Sequence, residues 1–74
     1  MLGSIVWFNQ RSGYGFLRCE GYEKDLFFHF TRVEDGDRKF LEPGLAVEID
    51  SVVEDSKARL VATGVRLIWD LVPR

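Results

Sequence analysis

Two short stretches carry the side chains best suited to chemistry: Ser12-Gly13-Tyr14-Gly15-Phe16-Leu17 and Leu26-Phe27-Phe28-His29-Phe30. Their chemistry is that of flat rings. Side chains on a strand alternate faces with period two, so Tyr14 and Phe16 share one face, and Phe27 and His29 share one face of the following strand. Four rings on an open sheet face, with glycines keeping the space between them low, are what stacking on unpaired bases requires.

The rings also have a packing reading, since barrel interiors are built from alternating residues. Leu17, Leu26 and Phe28 already occupy the opposite parity, and a one-layer barrel of this size cannot bury both. Tyr14, Phe16 and Phe27 are therefore expected outside. Trp7 and Phe8 are adjacent, so on a regular strand they point oppositely, and a bulge at a sheet edge is the way to expose both. Trp7 is read as exposed, while Phe8 and Phe30 are left open between core and surface. Gly13 and Gly15 serve either as turn and close-packing residues or as gaps that let bases reach the rings.

His29 has no partners for other work. A metal site needs further ligands, and only Cys19 and scattered carboxylates are available. Asp25 shares the face of His29 but lies too far along the strand to form a dyad. The reading is a stacking and hydrogen-bonding platform beside Phe27. No constellation supports an enzyme, and no cofactor is called for.

The elements that position these rings read as strands. The chain has 74 residues, enough for one small domain. Helical periodicity is poor, and β-branched and aromatic residues dominate the apolar set. Strands are expected near Gly3–Asn9, Tyr14–Cys19, Asp25–Phe30, Leu45–Val53 and Arg59–Leu67. Thr31 is expected to cap a short helical turn through Glu34, and residues 35–43 to form a polar loop. Five short strands with turns between them suggest an all-β barrel. The inward set should be Ile5, Leu17, Leu26, Phe28, Val33, Val47, Ile49 and Val65. Asp35, Asp37, Glu54 and Asp55 read as solvated loop charges.

Composition agrees with a folded domain: 46% of residues are hydrophobic and 30% charged. Ten aromatics are present and eight precede residue 31, more than one small core can hold. The net charge is -2, but unevenly spread. Residues 1–33 carry four basic and three acidic groups, residues 34–70 five basic and nine acidic. The ring-bearing half is the less negative one, which favours a polyanion docking there. A single cysteine, Cys19, cannot staple the chain, and a reducing, cytoplasmic setting is expected. No apolar run approaches the roughly 18 residues of a membrane span. Residues 1–70 read as the domain, and Leu71-Val72-Pro73-Arg74 as the remnant of a thrombin cleavage site.

Trp7-Phe8-Asn9, Ser12-Gly13-Tyr14-Gly15-Phe16-Leu17 and Asp25-Leu26-Phe27-Phe28-His29-Phe30 together resemble the cold-shock domain in order and spacing. Leu41-Glu42-Pro43-Gly44, leading into the fourth strand, fits as well. The resemblance covers about residues 2–68. It implies a five-stranded antiparallel barrel of the oligonucleotide-binding fold, holding single-stranded RNA or DNA across strands one to three, with a preference for pyrimidine-rich strands. Carried over by position, Trp7, Phe8, Tyr14, Phe16, Phe27, His29 and Phe30 match the family's binding face, and Asn9 and Asp25 its polar contacts. A monomer acting as an RNA chaperone is the expectation. Three positions depart from the pattern. Val6 and Ser12 stand where the family usually has lysines, and Arg38 where bacterial members often have phenylalanine. With the acidic balance, these departures leave a second reading, a protein-interaction module whose ring patch docks a protein.

Overall fold

The computed structural model describes residues 1–73. Five strands form: β1 (Leu2–Asn9), β2 (Tyr14–Cys19), β3 (Leu26–His29), β4 (Ala46–Glu54) and β5 (Leu60–Leu67). They close into a barrel in the order β1-β2-β3-β5-β4. The β1–β2, β2–β3, β1–β4 and β4–β5 seams are antiparallel. The remaining seam, β3 to β5, is parallel and short, pairing Phe27 with Val61. Closure removes the open edges that a five-stranded sheet would otherwise present.

Local chemistry sets the connections. Asn9 ends β1 and accepts the backbone N–H groups of Arg11 and Ser12 through Oδ1, at 2.9 and 3.0 Å. Such Asx bonding is why asparagine favours turns. Gly13 completes the reversal in a left-handed conformation, with φ of 75°. The β4–β5 hairpin turns on Asp55, whose Oδ1 accepts the N–H groups of Lys57 and Arg59.

All eight residues of the expected inward set are buried, joined by Cys19, Leu41, Leu45, Ala62 and Leu67. The alternation along β2, β3 and β4 makes this core: Leu17, Leu26, Phe28, Val47 and Ile49 are fully enclosed. Burial pushes the Cys19 thiol above its ordinary pKa, as expected of a group whose charged form is disfavoured there.

Five expectations are corrected. β3 spans Leu26–His29, so Asp25 and Phe30 lie outside it. Phe30 instead opens a 3₁₀ turn, Phe30–Arg32, capped by the His29 ring and not by Thr31. The loop over 35–43 contains a longer 3₁₀ turn, Asp35–Phe40. Its Asp37 is not a solvated charge: it is 6% exposed and accepts hydrogen bonds from the Leu67 N–H (2.9 Å) and the Trp69 indole N–H (2.8 Å). Asp55 likewise is engaged in the hairpin, as described above. Trp69–Leu71 forms a third 3₁₀ turn, and Val72 packs partly buried against the core. Arg74, the last residue of the expected cleavage remnant, lies outside the described residues. No helix among the described residues is long and apolar enough to cross a membrane.

Candidate nucleic-acid interface

The rings owe their placement to a register shift. In the β1–β2 ladder Ile5 faces Leu17, yet Trp7 faces Phe16, so β1 carries one residue too many between them. This bulge reverses the parity of the strand. Val6 and Trp7 are both exposed, and Phe8 turns inward, stacked on Phe28 with centroids 5.6 Å apart at 16°. Phe8 therefore backs the platform from within, and the choice left open by the sequence falls on the core side. Its ladder partner is Gly15, where an added methyl would strike the Trp7 carbonyl and lie 2.9 Å from the Phe8 Cα. Gly15 is buried and faces the core, so its work is close packing.

On the outer surface the rings touch in sequence. Trp7 meets Tyr14 edge-on at 5.5 Å and lies tilted over Phe16 at 6.2 Å. Tyr14 stacks with Phe27 at 5.4 Å, and Phe16 meets Phe27 edge-on at 5.9 Å. Tyr14 pairs across the ladder with His29, whose ring lies 4.8 Å from that of Phe30. Phe30 is exposed, and its backbone N–H donates to the Gly13 carbonyl at 2.8 Å. A side chain at Gly13 would collide with the Phe30 ring, 2.8 Å away. Trp7, Tyr14, Phe16, Phe27, His29 and Phe30 thus form one outward surface drawn from β1, β2, β3 and the turn that follows.

His29 is oriented by Thr31. The Thr31 N–H donates to Nδ1 at 3.3 Å, and the Thr31 hydroxyl lies 2.9 Å from the same atom. A backbone N–H can only donate, so Nδ1 accepts and the neutral ring carries its proton on Nε2. Nε2–H remains a donor for a bound strand. The two expected polar contacts are placed less directly. Asn9 Oδ1 is used by its own turn, and exposed Asp25 sits 3.8 Å from the Arg18 Nε.

Two arginines outside the expected set of binding residues reach the rings. The guanidinium carbon of Arg59 lies 3.9 Å from the Phe27 ring centre, and that of Arg38 lies 5.3 Å from the Phe30 centre. Arg59 approaches from the β4–β5 hairpin, beyond the reach of any pattern local to β1–β3. Arg38 is tied down by donation to the Val33 carbonyl (3.1 Å) and by Asp35 (2.7 Å). Val6 and Ser12 are exposed, so the positions without lysine lie open to solvent. Among the described residues, no group of three or more His, Cys, Asp or Glu side chains could hold a metal ion.

The chain matches the family model described as the 'Cold-shock' DNA-binding domain over residues 1–68. It is 42% identical over 65 residues to the cold shock protein CspA of Staphylococcus aureus (strain USA300), covering 88% of this chain and 96% of that protein. CspA of Staphylococcus haemolyticus is 40% identical over the same length. Among solved structures, a chain described as drosophila Unr CSD456 superposes with a TM-score of 0.73 at 36% identity. That match covers 90% of this chain and spans 26% of the Drosophila chain. The barrel, its outward rings and these matches agree: the chain belongs to the cold-shock domain family, a family of nucleic-acid-binding modules.

Proposed function

We propose that this protein binds single-stranded RNA and DNA by stacking splayed bases on its ring surface, and acts as an RNA chaperone by holding strands unpaired. The observation that carries this reading is the continuous outward run of Trp7, Tyr14, Phe16, Phe27, His29 and Phe30. Each ring offers a π-face, and every base has one, so capture is tolerant of sequence. Stacking contributes about 1–3 kcal/mol per base, enough for useful affinity from a few bases even with few phosphate contacts. Pyrimidine-rich strands are the favoured targets, in keeping with the family resemblance. A cytoplasmic setting for the same work fits a chain whose single cysteine can form no internal disulfide.

Fluorescence anisotropy with a labelled oligothymidine and oligouridine tests the reading. Both should bind, and each of Phe16→Ala, Phe27→Ala and His29→Ala should weaken binding. A hairpin RNA beacon should open on addition of the wild-type protein. Binding that survives all three ring deletions unchanged would rule out base stacking as the mechanism.

A further inference from the structure

We propose that Arg59 is a displaceable cap on Phe27: its guanidinium holds the ring's stacking surface in the free protein, and a base reaches that surface only by moving it. The inference rests on the single-strand reading above and deepens it at one ring.

The geometry leaves little room for an alternative. The guanidinium carbon stands 3.9 Å from the Phe27 ring centre. That is the optimal separation of about 3.5–4.0 Å for carbon atoms in contact, where the plane of a stacked base would also lie. Guanidinium and base cannot both fill it. The cap is also built by its own hairpin. Asp55 Oδ1 accepts the Arg59 N–H, and Asp55 Oδ2 accepts from the Arg59 Nε at 3.0 Å. Ala58, just before Arg59, takes a left-handed conformation with φ of 58° and completes the turn that Asp55 and Arg59 close. These backbone donations hold the Asp55 carboxyl below its usual pKa, so it stays ionised as the anchor. Beside the cap, a cleft of about 340 Å³ opens between Phe16, Lys24 and Arg59. The Arg59 side chain is about half exposed (47%), so once its Nε leaves Asp55 it can swing into that space.

Displacement has two consequences. The base must replace an exposed cation–π contact, which weakens uptake at Phe27 about two- to five-fold relative to a bare ring. The released guanidinium is left beside the strand, where it can face a phosphate. Arg59 thereby supplies some of the charge missing at Val6 and Ser12.

Solution NMR with a short oligothymidine decides the matter. In the free protein the Arg59 Hδ and Hε signals should lie upfield, shifted by the Phe27 ring current, and Phe27→Leu should abolish the shift. At saturation these signals should move toward their position in Phe27→Leu, while thymine protons show contacts to the Phe27 ring. In parallel, Arg59→Lys, which keeps the charge and removes the planar cap, should bind oligothymidine about two- to five-fold more tightly with an unchanged salt slope. An upfield shift that persists at saturation, or an Arg59→Lys affinity equal to or below wild type, overturns the cap while leaving single-strand binding intact. Failure of the wild-type protein to bind at all in the same titration overturns both.

Discussion

Ile5 and Trp7 stand two residues apart on β1 and face opposite sides of the barrel wall. Ile5 is 2% exposed and Trp7 40%. On a regular strand they would share a face. The bulge at Val6 separates them, and it sends Phe8 down onto Phe28 in the same stroke. One irregularity therefore gives the barrel a deeper core and the platform its only tryptophan.

Phe27 and Phe28 are neighbours whose deletion should have opposite effects. Phe28→Ala removes a fully buried ring and should cost roughly 3–5 kcal/mol of stability. Phe27→Ala removes ring contacts at the surface, at about 0.5–1.5 kcal/mol for each aromatic pair, and should chiefly weaken oligonucleotide binding. Denaturant melts and anisotropy on the two variants make the comparison. A Phe27→Ala protein less stable than Phe28→Ala would invert the facing.

Gly15→Ala should destabilise the fold by at least about 1–3 kcal/mol, the usual cost of overpacking a tight site. The added methyl would meet the Trp7 carbonyl and the Phe8 Cα, both on the neighbouring backbone. A backbone cannot rotate aside as a side chain does. Thermal unfolding checks this, and a melting temperature equal to wild type would contradict it.

Much of this arrangement was legible in the sequence because it is local. Period-two alternation in Tyr14–Cys19 and Leu26–His29 separates Leu17, Leu26 and Phe28 from Tyr14, Phe16, Phe27 and His29, and the structure divides them the same way. Ile5 inside and Trp7 outside, both expected from the sequence, are a pair of assignments that a regular strand forbids and a bulge reconciles. What stayed illegible depends on contacts distant along the chain. Asp37 looked like a loop charge because its partners, Leu67 and Trp69, lie 30 and 32 residues away. Arg59 is, in the sequence, only the first residue of the expected fifth strand, because nothing in its neighbourhood announces Phe27. The end of β3 was missed because Phe30, whose N–H still bonds the Gly13 carbonyl across the hairpin, turns at once into the 3₁₀ turn closed by the Val33 N–H on the Phe30 carbonyl.

Asp37→Ala should cost roughly 2–4 kcal/mol. It leaves the buried Leu67 N–H without an acceptor, at about 1–3 kcal/mol, and removes from the indole of half-exposed Trp69 a hydrogen bond worth about 0.5–1.5 kcal/mol. Oligonucleotide affinity measured well below the melting temperature should be unchanged, since Asp37 touches none of the platform rings. A stability change within about 0.5 kcal/mol, the range of an ordinary surface substitution, would contradict its role as a latch.

Binding should be weakly salt-dependent, because Val6 and Ser12 offer no cation and the two arginines at the rings are paired with Asp35 and Asp55. The double change Val6→Lys with Ser12→Lys should tighten binding at low salt. It should steepen the slope of log affinity against log salt by about 1.4, two phosphate contacts at roughly 0.7 each. Stability should change little, both sites being exposed. A slope unaltered by the two lysines would place the strand's path away from these positions.

Trp7 emission offers the most direct measurement of base stacking on this surface. Trp7 belongs to the platform, whereas Trp69, also exposed, is tied to Asp37 and packed edge-on against Phe40 at 5.3 Å apart from the platform rings, so it serves as an unquenched background. Titration with a short oligothymidine should quench the Trp7 component to saturation. A duplex of the same length, whose bases are already stacked, should bind far more weakly and leave the emission nearly unchanged. Equal affinity for duplex and single strand, or single-strand binding without quenching, would contradict base stacking on the rings.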